Sequence, residues 1–297
     1  MRRITIIAAV AIVMASCNKT KKDYDATGTF EATETTVSAE QSGQLVRFSV
    51  VEGENVDDGK EVGLIDTTQL WLKIKQLDAT KATYQSQKPD VERQIAATRQ
   101  QLATARNEQR RYSELVKDGA APRKMLDDAN SLVQVLQKQL DAQLSALQTS
   151  TNALSKQMIT VDVQVNQLLD QIAKCHIFAP TCGTVIEKYV EQGEFVTAGK
   201  PLFKIADVDQ IYIRAYVTST QLQNLKVGQR VKVFTDYGGG NRKDYDGTVT
   251  WISSQSEFTP KSILTDDERA DLVYAVKIAV KNDGFIKIGM YGEVKFQ

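Results

Sequence analysis

Histidine is almost missing from this sequence: His176 is the only one in 297 residues. General acid–base and nucleophilic chemistry usually needs a positioned histidine or paired carboxylates in a pocket, so enzymatic function has little to work with. No phosphate-cradling loop or metal-ligand spacing is present, and a lysine- or carboxylate-based site is left without a motif behind it. The reading is therefore not an enzyme, with no cofactor and no metal. Charge of one sign is missing too, because 37 basic and 37 acidic side chains cancel. Setting aside Arg2 and Arg3 leaves 35 against 37, a balance of −2, and no electrostatic footprint for nucleic acid. The N-terminal apolar run, Ile4 to Ala15, is too short for a membrane span. What is present, 42% hydrophobic and 25% charged residues over about twice a typical domain length, argues two or three folded units rather than disorder.

Arg2 and Arg3, the apolar run and the small residues before Cys17 make residues 1–16 an export signal. Its end, Met14-Ala15-Ser16-Cys17, resembles a bacterial lipobox, with methionine in place of the more usual leucine. The resemblance implies lipidation of Cys17; the alternative is an ordinary exported cysteine. Two or three acyl chains anchor a protein stably where one binds only marginally. Residues 17–25, including Lys19, Lys21 and Lys22, then read as a tether. Cys175 and Cys182 lie seven positions apart in an exported chain, where a disulfide is one reading. Two small buried residues flanking a turn is the other, favoured because a bridge requires a Cα separation of roughly 4.4 to 6.8 Å. His176 between them completes no four-ligand zinc pattern.

An internal repeat organises the rest. Ser42 to Asp66 aligns without gaps, at an offset of 140, with Cys182 to Ala206, and 8 of 25 positions are identical, among them Gly43/Gly183, Gly53/Gly193 and Gly59/Gly199. Each copy alternates apolar residues with tight-turn signals, which predicts a few short strands. The shared glycines mark positive φ or close backbone approach. Two such copies resemble the halves of a biotinyl/lipoyl domain. In a carrier domain a short hairpin bearing the modified lysine joins the halves; here more than a hundred residues intervene, which argues against carrier chemistry.

That link, Thr68 to Lys174, is dominated by helix formers. Leu70, Leu77, Tyr84, Val91, Thr98, Ala105 and Tyr112 recur every seven residues. Leu132, Val135, Leu136, Leu140, Leu144, Leu147, Leu154, Val161, Val165 and Leu168 follow helical spacing on the second arm. A narrow apolar seam argues an antiparallel coiled-coil hairpin over a packed helical domain. Its turn falls at 117–122, with Gly119 ending one helix and Pro122 opening the next. Pro89 and the run Thr149-Ser150-Thr151-Asn152 lie about thirty residues either side, so both arms are expected to break there, leaving a distal hairpin of about 45 Å. From Asp207 onward five strand-like runs and a short helix at Ser219 to Leu225 fit a small β-barrel, with Ala26 to Ala39 adding a strand.

Taken together, the split lipoyl halves, the entry Phe178-Ala179-Pro180-Thr181-Cys182-Gly183 and the closing Ile288-Gly289-Met290 resemble the periplasmic adaptor proteins, also called membrane fusion proteins or the HlyD-like family. Glu257 to Lys261, with Thr265, Glu268-Arg269 and Leu272 to Lys277, is similar to the subgroup that usually serves ABC-type exporters. The family's hairpin-tip pattern is matched in register by Arg111, Leu115, Leu126, Asp127 and Ala129, and Pro122 stands where serine is usual. The resemblance implies that the tip, with Gly119 and Ala120 at its turn, inserts between helices of a TolC-like outer-membrane channel. Arg111 and Asp127 would then make polar contacts and the leucines fill grooves; alternatively, these residues merely cap and pack the turn. The resemblance also implies an inner-membrane transporter, ABC-type first among the classes, self-association into a hexamer, a lipid-held place at the inner membrane in the periplasm, and no nucleic-acid partner.

The expected fold is mixed α and β: a split biotinyl/lipoyl-like β-domain interrupted by a long antiparallel coiled-coil hairpin, plus a small C-terminal β-barrel. The expected order is signal peptide 1–16, lipid-anchored tether 17–25, a strand joining the barrel 26–41 and first lipoyl half 42–67. The hairpin 68–174 (distal part 89–151, tip 117–122), second half 175–206 and barrel 207–297 follow. The function implied is that of an adaptor in a tripartite efflux or secretion system. The alternative is a lipid-anchored coiled-coil scaffold of the cell envelope without a channel partner.

Overall fold

The computed structural model describes residues 24–236, 242–258 and 272–296. The export signal, Cys17, the loop at 237–241 and the stretch 259–271, which carries part of the subgroup likeness, lie outside the described residues. The chain enters in β1 (Ala26–Ser38), and the first repeat copy supplies β2 (Gly43–Phe48), β3 (Asn55–Val56) and β4 (Glu61–Ile65). Three helices follow, α1 (Thr68–Ser86), α2 (Val91–Lys117) and α3 (Arg123–Ala173). β5 (His176–Phe178) precedes the second copy, which gives β6 (Gly183–Lys188), β7 (Phe195–Val196) and the start of β8 (Pro201–Thr218). A single turn, α4 (Ser219–Leu222), leads into β9 (Arg230–Asp236), β10 (Arg242–Phe258), β11 (Leu272–Lys281) and β12 (Tyr291–Phe296).

The two repeat copies interlock. β7 of the second copy pairs with β2 of the first, and β3 of the first pairs with β6 of the second. Leu45, Val56, Ile65, Val185, Val196 and Ile205 pack into one shared core. Gly43 and Gly183 serve close approach: an added Cβ would meet Ile65 Cγ2 at 2.7 Å and Ile205 Cγ2 at 2.8 Å, two equivalent residues of the repeat. The hairpin leaves beside Gln44, whose carbonyl accepts from the Asp66 amide, while β8 leaves toward the barrel beside Thr184, paired with Ala206.

Six strands in the order β1-β12-β9-β10-β11-β8 close on themselves through β1–β8 pairing, which removes the sheet edges. In β8 the alternation of buried Ile211, Ile213, Ala215 and Val217 with partly exposed Tyr212, Arg214 and Tyr216 is the two-residue period of a strand with one face on a core. Neither long strand stops at the barrel. β1 lies within the expected strand but only its first part belongs to the barrel: Thr27 to Glu31 pair with Tyr216 to Tyr212, and Thr33 to Ser38 then pair with Asp207 to Pro201. The two β-units therefore share a continuous antiparallel ribbon.

Where that ribbon passes between the units its register slips: Glu31 faces Tyr212 and Thr33 faces Asp207, so Val208 to Ile211 opposes Ala32 alone. Asn282 pins this bulge. Its amide donates to Asp209 O at 2.8 Å, and its Nδ2 donates to Val208 O at 2.8 Å and Ile286 O at 3.0 Å. Its Oδ1 accepts from the Gly284 and Ile286 amides.

One expectation fails. The second arm does not break at Thr149 to Asn152: α3 runs without interruption through 51 residues, about 76 Å at 1.5 Å per residue. The hydroxyls that read as helix-breaking are satisfied inside the helix, Thr149 Oγ1 donating to Ser145 O and Thr151 Oγ1 to Leu147 O, four residues back. Only the first arm is interrupted, at Pro89, where Asp90 restarts α2 by accepting from the Arg93 amide at 3.2 Å.

Asn282→Ala should lower unfolding stability by about 2 kcal/mol, because it strands the Val208 and Ile286 carbonyls and two loop amides. A two-probe thermal melt measures this, with circular dichroism at strand and helix wavelengths showing the β-units weakened and the hairpin spared.

Candidate functional site

No helix among the described residues is long and apolar enough to cross a membrane, and none of their His, Cys, Asp and Glu side chains group to hold a metal ion. Two exposed regions carry the chemistry that can recognise a partner: the hairpin tip and the outer faces of the interlocked unit.

Along the hairpin the seam changes character. Ile95, Leu102 and Leu140 form a small apolar cluster, flanked by Val91, Val133, Leu136, Leu144 and Leu147. Nearer the tip the cross-helix contacts turn polar: Arg106 Nη2 donates to Gln137 Oε1 at 2.5 Å and Gln109 Nε2 to Asn130 Oδ1 at 2.7 Å. On the proximal pair, Lys81 Nζ bridges α1 to Asp162 of α3 at 2.5 Å. Apolar spacing alone does not announce these polar rungs; Lys81 and Gln109, polar members of the seven-residue series that holds Ile74, Ile95, Leu102 and Val116, are the signal for two of them.

At the tip, α2 ends with Ala120 N donating to Leu115 O at 2.8 Å and Gly119 N to Val116 O at 3.2 Å, the paired bonds of a glycine-closed helix end. Gly119 has φ +71, which is why glycine stands there. Pro122 is the N-cap of α3 and offers no side-chain capping bond, so the tip lacks the hydrogen bond a serine would supply. Arg111 is tied to Glu108 at 2.7 Å and its guanidinium stands 5.3 Å from the Tyr112 ring centre. Leu115 and Asp127 are exposed, whereas Leu126 and Ala129 are half-buried. Ala129 lines a groove of about 350 Å³ with Ala105, Glu108, Tyr112, Met125, Asp128 and Leu132. The candidate residues thus gather at one end of the hairpin, with Arg111 paired to Glu108 of its own helix and not to Asp127.

At the hairpin's base, Asp66 Oδ1 accepts from both the amide and hydroxyl of Thr68, which holds its carboxyl below the usual range and starts α1. His176 Nδ1 lies 2.9 Å from Glu61 Oε1, and Arg47 pairs with the same carboxylate. The bond to His176, aided by Arg47, keeps the Glu61 carboxyl low. Cys175 is buried, its thiol pushed up by burial and then by Asp66, while Cys182 is exposed; the two are unbonded. Half of the favoured reading of that pair therefore needs correction, since Cys182, just before β6, faces solvent.

A split, interlocked pair of half-barrels bearing a long helical hairpin and a six-stranded barrel defines the class of membrane fusion proteins. The sequence agrees: residues 33–208, more than half the chain, match the family model described as "RND MFP, barrel-sandwich hybrid domain". The chain belongs to that family. Among curated relatives, a UPF0194 membrane protein of Yersinia pseudotuberculosis is 29% identical over 281 residues, covering 86% of this chain and 84% of the relative. The UPF0194 membrane protein YE2891 of Yersinia enterocolitica is 26% identical, covering 99% and 96%. Among solved structures, MacA from Actinobacillus actinomycetemcomitans aligns with TM-score 0.57 at 21% identity over 93% of this chain and 81% of its own. The membrane fusion protein Spr0693 from Streptococcus pneumoniae aligns at 0.50 and 18% over 91% and 98%. These likenesses establish the fold.

Ile95→Ala, at a site with no solvent exposure, should cost about 2–5 kcal/mol and melt the distal hairpin first. Arg111→Ala, which removes an exposed i,i+3 pair and an exposed contact with the Tyr112 ring, should change stability by less than about 1 kcal/mol. Thermal unfolding followed by helix ellipticity separates the two; equal destabilisation would make Arg111 a structural residue.

Proposed function

We propose that this chain is a non-enzymatic periplasmic adaptor, holding an inner-membrane transporter, ABC-type first among the classes, in line with a TolC-like outer-membrane channel. The observation that carries the reading is the uninterrupted α3, a rod of about 76 Å that puts the tip motif far from the barrel. Chain entry supports it. Asp25 sits at the free end of the barrel, its carbonyl accepting from Gln221 Nε2 at 2.5 Å and its carboxylate from the Phe296 amide at 2.7 Å. It lies eight positions after Cys17, a reach of at most about 28 Å. A lipidated Cys17 would hold that end of the barrel close to the inner membrane, on the face where a transporter's periplasmic surface lies.

Function then resides in shape and repetition. Six copies in a ring would present six tips, and modest contacts repeated around a ring gain avidity that no single one has. At each tip Arg111 and Asp127 would give polar contacts, Leu115 and Leu126 would fill grooves, and Gly119, Ala120, Pro122 and Ala129 would set the backbone's approach.

Replacing both Arg111 and Asp127 by alanine should cut export by about tenfold or more while the melting curve stays within a degree or two of wild type. Wild-type export by the double variant would remove the channel-docking role. Cys17→Ala should move the protein from the membrane fraction to the soluble periplasm; retention in membranes would show a different anchor.

A further inference from the structure

Between the two β-units, β8 loses its neighbour along one edge. β6 meets it only as far as Thr184 opposite Ala206, and β11 meets it only from Lys281 opposite Gln210, so Asp207, Val208 and Asp209 have no strand beside them on that side. On the other side the same stretch bulges away from β1. The gap is a cleft of about 710 Å³, walled by β3 and the entry to β6 on the split unit and by β10 and β11 on the barrel. Small-molecule sites concentrate at such boundaries between units and span roughly 300–1,000 Å³.

The lining has two characters. Val56, Val208, Ala279 and Val280 give it an apolar surface, and Asn282 already caps the Val208 and Asp209 carbonyls, so the bulge leaves neither of those backbone acceptors bare. Four carboxylates, Asp57, Asp207, Asp209 and Asp246, stand against one ammonium, Lys281. Asp246 is neutralised from outside by Lys232 at 2.8 Å, an ammonium that Asp244 shares at 3.1 Å. Asp207 accepts from the Asp209 and Gln210 amides and keeps its charge. Asp57, Asp207 and Asp209 against Lys281 leave three negative charges less one positive, an excess of two. The side chains of Asp57 and Asp209 are exposed and make no hydrogen bond or ion pair to another described residue. Among the described residues no three His, Cys, Asp or Glu side chains come together to hold a metal ion, so these carboxylates do not converge on one small cation.

We propose that this cleft binds an organic cation, a drug-sized molecule carrying its positive charge on an apolar body, between the split unit and the barrel. The valines meet the body and the spaced carboxylates meet the charge. Exposed carboxylates act weakly one at a time, so recognition needs both parts of the lining. The ligand touches both β-units at the point where only the ribbon joins them.

The test titrates the purified full chain into rhodamine 6G, an organic cation, and into fluorescein, an anion, and follows fluorescence polarisation. Saturable binding of the cation alone is expected. Asp57→Asn combined with Asp209→Asn should weaken it by about tenfold with an unchanged melting curve. Asp78→Asn combined with Asp118→Asn, which removes the same charge from exposed positions on the hairpin, should leave it unchanged. Cys182 lines the cleft and is exposed while Cys175 is buried, so N-phenylmaleimide placed on Cys182, with the adduct located by mass spectrometry, should block the site and weaken the cation by about tenfold or more. No saturable binding, equal binding of fluorescein, equal weakening by the hairpin pair, or full binding by the maleimide adduct would each overturn the proposal. No transporter or channel enters these measurements, so their failure is separate from failure of the adaptor reading.

Discussion

Two short strands are exchanged between the halves of the split unit: Asn55–Val56 pairs with β6 and Phe195–Val196 pairs with β2. Neither half can bury its apolar face alone, since Leu45 and Ile65 of one pack with Val185, Val196 and Ile205 of the other. The two ends of the helical insertion are thereby fixed side by side, with Ile65 N donating to Cys175 O at 2.9 Å. The entropy of closing so long an insertion grows only slowly with its length, so one shared core suffices to hold the hairpin's base. The hairpin can then extend far from the β-units without loosening the fold.

The second consequence is directional. β1 and β8 leave the shared core as a ribbon and enter the barrel without a break in either strand, so the barrel is tied to the split unit by hydrogen-bonded backbone rather than by a linker. The ribbon's larger irregularity, where four residues of β8 oppose Ala32, is the bulge at Val208 to Ile211, and Asn282 covers it from the β11–β12 loop. The hairpin is built on a similar division: α3 is a continuous rod, and the interruption at Pro89 falls only on the opposite arm. Polar rungs near the tip replace apolar packing, which keeps the helices in register while leaving their outer surfaces free to meet a partner.

Much of this was legible beforehand because it rests on local rules. The glycine pattern of the repeat, the heptad spacing of the arms, and the Gly119 and Pro122 signals each reflect a backbone requirement that one residue type meets. What escaped was non-local. Thr149 and Thr151 can serve a turn or bond back to a carbonyl four residues earlier, and only the uninterrupted run of α3 around them decides which. The run of β1 into the split unit depends on pairing with a strand some 170 residues away, which an alternating threonine-rich pattern cannot announce. Arg106, Gln109, Asn130 and Gln137 looked like surface residues because polar seams have no period of their own. At the candidate site, the tip's position was readable from turn chemistry; the Arg47–Glu61–His176 cluster was not, since it joins two strands of the first repeat copy to a strand that follows the hairpin.

The central claim is that the two ends of this molecule face two different membrane proteins. Photocrosslinking in intact cells, with one probe at Ala120 on the tip and another at Val227 beside the chain's entry to the barrel, tests it most directly once the trapped partners are identified by mass spectrometry. The account predicts an outer-membrane channel protein from Ala120 and an inner-membrane transporter subunit from Val227. The same partner from both probes, or an inner-membrane protein from the tip, would contradict it.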